Sequence, residues 1–138
     1  MKRIISLIMV MTLLLSFASV AFAASQSFSF NMTNTGTTSH VYTGTSNQKI
    51  NVDDDATIKC TYTDAPGYGY YLGLCNMSNT MATVQKWYGT NGKTRNHEFH
   101  DGMAIKNAYY RIHGRIDNDY YGTYTINGKY NADDVSIS

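Results

Sequence analysis

The stretch YYRIHGRIDNDYYGTYTINGKY, residues 109–130, indicates the fold class of this chain. Apolar and glycine residues fall on the even positions of both halves, which is the period-two alternation of a half-buried β-strand. The polar loop Asp117-Asn118-Asp119 separates the halves and keeps both even sets on one face. We therefore predict a β-hairpin whose even-numbered residues face a hydrophobic core.

The odd-numbered residues of this stretch form a candidate ligand face. Guanidinium groups and aromatic rings are what proteins present to carboxylates, phosphates and sugar hydroxyls. The alternative is the solvated side of an antiparallel sheet, where alternating polar residues are the rule. The predicted face consists of Tyr109, Arg111, His113 and Arg115 on one strand and of Tyr121, Thr123, Thr125 and Asn127 on the next.

The rest of the chain also favours strands. All 12 Tyr lie after residue 23, there is one Pro, and no stretch has apolar residues at helical spacing. Turn-forming residues separate β-rich runs at residues 27–32, 40–43, 49–52, 57–63, 70–77, 83–88, 95–100, 104–116 and 120–130. We predict an all-β chain, a two-sheet antiparallel β-sandwich of about 8 short strands, with a small β-barrel as the alternative.

The first 23 residues have the three parts of a secretory signal peptide. Lys2 and Arg3 give the positive start, residues 4–20 the apolar core, and Ala21-Phe22-Ala23 the cleavage site. The alternative, a membrane anchor, needs roughly 20 apolar residues, and this core is shorter. We predict cleavage after Ala23, which leaves residues 24–138 as a single secreted β domain.

The charge balance and the C-terminal sequence limit the kinds of partner that we expect. Of 11 Lys+Arg, two leave with the signal peptide, so nine face ten Asp+Glu and the mature charge is about −1. This balance does not indicate a nucleic-acid binder. The C-terminal residues 133–138 carry no apolar tail, so we expect no membrane anchor after cleavage and a monomeric protein outside the cell.

Cys60 and Cys75 are the two cysteines of the chain. In an oxidising compartment such a pair predicts a disulfide, with two free buried thiols or a metal site as alternatives. A hairpin turning near Pro66-Gly67 would place Cys60 opposite Cys75 and Ile58 opposite Met77, so the bond would be cross-strand. Closing this loop would contribute about 3 kcal/mol in the chain-entropy model.

Metal sites are weakly indicated. His97 and His100 are three residues apart in a β-like run, whereas the helical zinc motif needs a spacing of four. Asp53-Asp54-Asp55 lacks the glycine and the bidentate Glu of a calcium loop, although calcium binding there is left open. We expect a solvated turn there and at Asp133-Asp134, and no metal or cofactor.

Catalysis is also weakly indicated, so we expect no enzyme. The chain has no Gly-x-Ser-x-Gly elbow, and Glu98 is its single Glu. Trp87 and Tyr88, with Tyr68, Tyr70 and Tyr71, are a candidate aromatic platform for sugars, the alternative being core packing.

The segments Tyr109-Tyr110-Arg111-Ile112 and 121–133 resemble the C-terminal parts of small secreted all-β proteins of unknown function from Gram-positive bacteria. The Cys60 and Cys75 pair departs from that family. The resemblance implies a signal peptide, an all-β body and a role in antagonism or self-protection, and it carries no catalytic residue across.

These features together predict a non-catalytic binding domain that acts at the cell envelope or outside the cell, on a cell-surface component or a glycan. The alternatives are a bacteriocin-like toxin or its exported immunity companion, and a carbohydrate-binding module.

Overall fold

The computed structural model describes residues 24–34, 39–64, 69–89, 91–116 and 122–137. These residues form nine strands and no helix, which confirms the all-β prediction. The strands are β1 (Gln26–Asn34), β2 (Ser39–Tyr42), β3 (Asn47–Gln48), β4 (Ala56–Thr63), β5 (Tyr70–Asn76), β6 (Lys86–Tyr88), β7 (Thr94–His97), β8 (Tyr109–Ile116) and β9 (Gly122–Asn131). The strand predicted at residues 49–52 is wrong, because the chain forms a loop there.

The strands form two antiparallel sheets. One has the order β1-β9-β4-β7, and the other has the order β2-β8-β5-β6 with β3 also paired to β8. The predicted two-sheet sandwich is therefore confirmed, and the described strands do not close into one ring. Among these strands, β5 and β6 are the one pair that is consecutive in the chain and hydrogen-bonded, so most connections cross from one sheet to the other.

The alternation in β8 and β9 is confirmed, but the hairpin between them is wrong. The even residues of β8, and those of β9 from Tyr124 on, lie in or against the core, where Ile112 and Ile126 are fully buried. However, β8 pairs with β2 and β5, whereas β9 pairs with β1 and β4. A strand buries the same face whether its neighbour lies in its own sheet or in the opposite one, so the pattern fits both arrangements. The predicted loop at residues 117–119 lies outside the described residues.

Tyrosines are the largest side chains of this core. Four of them, Tyr70, Tyr88, Tyr110 and Tyr130, are at most 1% exposed. Each buried hydroxyl needs a hydrogen-bond partner, and three of the four find one in the opposite sheet. Tyr88 Oη lies 3.0 Å from the carbonyl oxygen of Ile58, and Tyr70 Oη lies 2.6 Å from Cys60 Sγ. The Tyr130 hydroxyl is shared between the carbonyl oxygens of Thr45 (3.0 Å) and Tyr110 (3.4 Å).

The two cysteines are free and lie in different sheets, so the predicted cross-strand disulfide is wrong in this structure. Cys60 on β4 belongs to the core between the sheets. Cys75 on β5 follows the core residue Leu74, faces the other side of its sheet, and lies opposite Arg111. The register pairing Ile58 with Met77 fails for the same reason, and the predicted turn at 66–67 is outside the described residues.

Because both cysteines are buried thiols, they should titrate as thiols without any reductant. We expect two reactive thiols per chain in denaturant, and almost none in native protein, since burial raises the pKa of both Cys60 and Cys75. Thiol titration of exported protein, with and without reductant, measures this. A reductant-dependent rise from zero to two thiols would contradict the structure and restore the disulfide.

A buried ion pair holds the C-terminal segment to the loop after β3. Lys49 Nζ lies 3.2 Å from Asp133 Oδ1 and donates to the carbonyl oxygens of Ala132 (2.7 Å) and Asp54 (2.5 Å). The Asp133 carboxylate also accepts the backbone N–H of Ile50 at 3.1 Å. The predicted solvated turn at 133–134 is therefore wrong for Asp133, which is buried because it has this partner.

The backbone of β9 approaches its neighbours most closely at Gly128. Gly128 lies opposite Phe28 on β1 and opposite Cys60 on β4. A Cβ at this position would overlap the carbonyl oxygen of Lys59 and come within 2.5 Å of the Phe28 ring. Glycine is therefore required there by space and not by a turn.

We expect Gly128→Ala to lower the free energy of unfolding by about 2–3 kcal/mol, because the overlapping backbone cannot move without breaking the ladder. Gly44→Ala is the matched control, since a Cβ at Gly44 meets nothing within 4 Å. Its effect should stay within about 0.5 kcal/mol. Urea unfolding of both variants measures the difference, and equal effects would contradict the packing at Gly128.

Candidate binding face

The odd residues of β8 face away from the core, as predicted. Tyr109 is 50% exposed, whereas Tyr110 is buried. The predicted second half of the ligand face is wrong: β9 is in the other sheet, so Thr123, Thr125 and Asn127 lie on the opposite outer surface of the sandwich. Tyr121 lies outside the described residues.

Strands β2, β5 and β6 supply the neighbours of the β8 residues instead. Cross-strand pairing aligns His40 with Arg115, Arg115 with Tyr71, and Tyr71 with Trp87, so one row of outer side chains crosses four strands. A second row pairs Tyr42 with His113. We call this surface the cationic aromatic face; its members are His40, Tyr42, Tyr71, Trp87, Tyr109, Arg111, His113 and Arg115.

Both arginines of this face lie over aromatic rings. The Arg115 guanidinium carbon is 4.4 Å from the centroid of the Tyr71 ring, and that of Arg111 is 5.5 Å from the Tyr42 ring. Arg111 also donates to the side-chain oxygen of Asn79. A guanidinium that stacks on a ring keeps its N–H groups in the plane, directed sideways toward further partners.

Trp87 lies on a glycine floor. Outer positions 69 and 89 carry no side chain, and a Cβ at either glycine would overlap the indole ring. Gly69 also has a φ of 71°, a backbone conformation that other residues rarely adopt. The indole therefore packs directly on the sheet surface, and Trp87 is still 45% exposed. The sequence predicts the Trp87 platform and the arginine face as two separate candidate sites. The fold places both on one surface.

Hydrogen bonds that join His40, His113 and Gln85 occupy the centre of the face. His113 is 2% exposed; its Nε2 lies 2.9 Å from Nδ1 of His40 and its Nδ1 lies 2.7 Å from Nε2 of Gln85. Gln85 reaches His113 across Gly73, where a side chain would crowd it. Since the Gln85 amide donates to Nδ1, the His113 Nε2–H donates to His40 Nδ1, and the His113 ring is neutral in this arrangement. Burial lowers the pKa of His113 to about 4.

His113 is thus part of the floor and not of the accessible surface. The exposed side chains of the face are Trp87, Tyr109, Tyr42 and His40, and the half-buried arginines lie between them. His40 and Tyr42 were missed by sequence reasoning. The alternation of residues 40–42 puts them on one side of a strand, but a sequence does not say beside which strand they lie.

The two histidines of the weakly indicated metal site, His97 and His100, differ in burial. His97 is buried, with Nε2 2.9 Å from Tyr88 Oη and Nδ1 2.9 Å from the carbonyl oxygen of Val84, whereas His100 is exposed. Burial lowers the pKa of His97 to about 4. No group of three or more potential metal ligands occurs among the described residues.

The acidic loop at residues 53–55 is organised by hydrogen bonds of its own. Asn51 Nδ2 donates to Asp54 Oδ1 (2.9 Å), and the Asn51 side-chain oxygen accepts the backbone N–H of Asp53 (3.2 Å). Such Asx contacts are typical of a turn. The prediction of a turn fits this geometry.

Comparison with protein-family models, curated proteins and solved structures gives no match to this chain. Among the residues that the structure describes, no helix has the length and apolar character needed to cross a membrane.

The buried His97 makes stability depend on pH. Its pKa is about 4 when folded and 6.5 when unfolded, so the unfolded chain binds the extra proton and stability falls as pH drops from about 6.5 to 4. We expect His97 to contribute about 2–3 kcal/mol of this loss and His97→Gln to remove that part, while the part due to His113, whose pKa burial also lowers to about 4, should remain. His100→Gln, at an exposed position, is the control and should keep the wild-type slope. Urea unfolding between pH 7.5 and 4 gives the three slopes; identical slopes for wild type and His97→Gln would contradict the assignment.

Proposed function

We propose that this chain is an exported, non-catalytic binding domain whose ligand is held on the cationic aromatic face. The observation that carries the proposal is Trp87, packed on two glycines and yet exposed, in the same cross-strand row as Tyr71 and Arg115. A solvated sheet face needs polar side chains but no exposed indole. Exposed apolar surface of this kind marks interaction sites.

The composition of the face fits a binding surface. Protein interfaces are enriched in Trp, Tyr and Arg, which provide large contact areas with few rotatable bonds or with planar hydrogen-bond donors. Here these residue types are concentrated on one flat sheet. The opposite outer surface has mainly Ser, Thr, Asn and Lys, with contacts such as Ser29 to Asn127 (2.7 Å) and Thr33 to Thr123 (2.9 Å).

The two cysteines and two of the described histidines, His97 and His113, are placed for packing. Cys60 and Cys75 are buried, and burial raises the pKa of each thiol, which disfavours the nucleophilic thiolate. His97 and His113 are buried and neutral, bonded to core or floor groups. This placement supports binding as the activity. The signal peptide predicted at residues 1–23 supports a site of action at the envelope or beyond it.

Binding of labelled, exported protein to isolated bacterial cell envelopes tests the proposal. We expect saturable binding that falls at least tenfold in Trp87→Ala, because the platform is removed while the core is intact. Lys59→Ala, which removes a cation from the other sheet, should bind as the wild type does.

Two results would overturn this function: no envelope binding by the wild type, or equal losses in Trp87→Ala and Lys59→Ala. The unfolding midpoint of each variant is measured in parallel, and Trp87→Phe serves as the second platform variant. Partial recovery in Trp87→Phe is expected, since a smaller ring can lie on the same glycine floor.

A further inference from the structure

We propose that the ligand of the cationic aromatic face is a carboxylated polysaccharide, with one pyranose ring stacked on Trp87 and a carboxylate paired with Arg115. This inference rests on the proposed function and specifies its ligand. It is carried by the cross-strand row from Trp87 through Tyr71 to Arg115, which brings an aromatic platform and a guanidinium fork together.

The platform fits the face of a sugar ring. A pyranose presents C–H groups on its faces and hydroxyls at its rim, so its face meets the negative face of an aromatic ring favourably. Trp87 is backed by Gly69 and Gly89, so little side-chain freedom remains to be lost when a sugar stacks on it.

The shape of the face fits a chain. The row from His40 to Trp87 spans four strands, which is about 14 Å at the usual strand separation. Its side chains lie on the outer side of a sheet, so several linked rings can contact the row at once. A linear polysaccharide lying across the strands makes that contact.

The charge of the face selects an acidic polymer. None of the strands β2, β3, β5, β6 and β8 contains Asp or Glu, whereas Arg111 and Arg115 of β8 lie on the outer side that forms this face. An arginine fork matches a carboxylate with two parallel hydrogen bonds. The Arg115 guanidinium lies over Tyr71, which is the cross-strand neighbour of Trp87, so a carboxylate on a chain stacked on Trp87 would lie close to it.

The small number of cations on this face argues against a nucleic acid as the ligand. Arg111 and Arg115 are four residues apart on β8, about 14 Å at the usual rise per residue. Nucleic acids carry one charge per phosphate, and their binders concentrate many more Lys and Arg on one surface. A polysaccharide lying across the strands meets Arg115, while Arg111 lies to one side of it, so one carboxylate near the stacked sugar is enough on a domain whose mature charge is about −1.

Affinity electrophoresis in polygalacturonate tests this inference, with the highly methyl-esterified form of the same polymer as the matched ligand. We expect retardation by polygalacturonate and at least tenfold weaker retardation by the ester, since esterification removes the charge and keeps the rings. Arg115→Gln should abolish the preference for the acid form. Trp87→Ala should weaken binding to both forms, and Lys59→Gln should change neither.

A second readout comes from Trp87 itself, the single Trp of the chain. Stacking of a sugar should quench or blue-shift its emission in a saturable titration, and Arg115→Gln should right-shift that titration at least tenfold for the acid polymer. Alginate and hyaluronate serve as further carboxylated probes.

The ligand class is overturned if none of the three carboxylated polymers binds, if the ester binds as well as the acid, or if wall teichoic acid or single-stranded DNA binds more tightly. If envelope binding still requires Trp87 while the carboxylated polymers fail to compete, the ligand class is wrong and the binding function stands. If the wild type binds neither envelopes nor polymers, both proposals fail.

Discussion

The sandwich depends on hydrogen bonds that buried tyrosines make between its two sheets. The hydroxyl of Tyr88 in the five-stranded sheet contacts the carbonyl oxygen of Ile58 in the other sheet, and the hydroxyl of Tyr130 reaches back to the carbonyl oxygens of Thr45 and Tyr110. An aromatic ring fills a large volume of a small core, but its hydroxyl is costly to bury without a partner. These bonds therefore fix how the sheets face each other as well as how far apart they lie.

The same constraint explains why Cys60 is not available as a disulfide partner here. Its thiol lies 2.6 Å from the hydroxyl of Tyr70, inside the core, while Cys75 lies on the outer side of the other sheet beside Arg111. Each cysteine is used as a small packing group with a weak hydrogen bond. A disulfide would be favoured in an oxidising compartment, but β4 and β5 belong to different sheets, which keeps the two cysteines from pairing.

The core also positions the cationic aromatic face. Once Leu72, Leu74 and Ile112 are committed to the inside, Tyr71 and Arg115 are forced to the outside by strand alternation. Gly69, Gly73 and Gly89 then leave room on that surface for the Trp87 indole and for Gln85 to cross to His113. The shape of this face therefore depends on the missing side chains of the three glycines as well as on the aromatic and basic side chains.

The sequence by itself determined the fold class, the strand positions to within a few residues, and which side of β8 faces outward, because these follow from local alternation and turn chemistry. Residues 49–52 are the exception. Their alternation predicts a strand, but they form a loop in which Lys49 is buried and pairs with Asp133. Only the tertiary structure decided which strands are neighbours. A period-two pattern buries one face equally well whether the neighbouring strand is a hairpin partner or belongs to the opposite sheet. Long-range pairing, which no local pattern encodes, therefore decides that β8 and β9 lie in different sheets and that the two cysteines are apart. It also decides that Trp87 and Arg115 lie in one row, joined through β5.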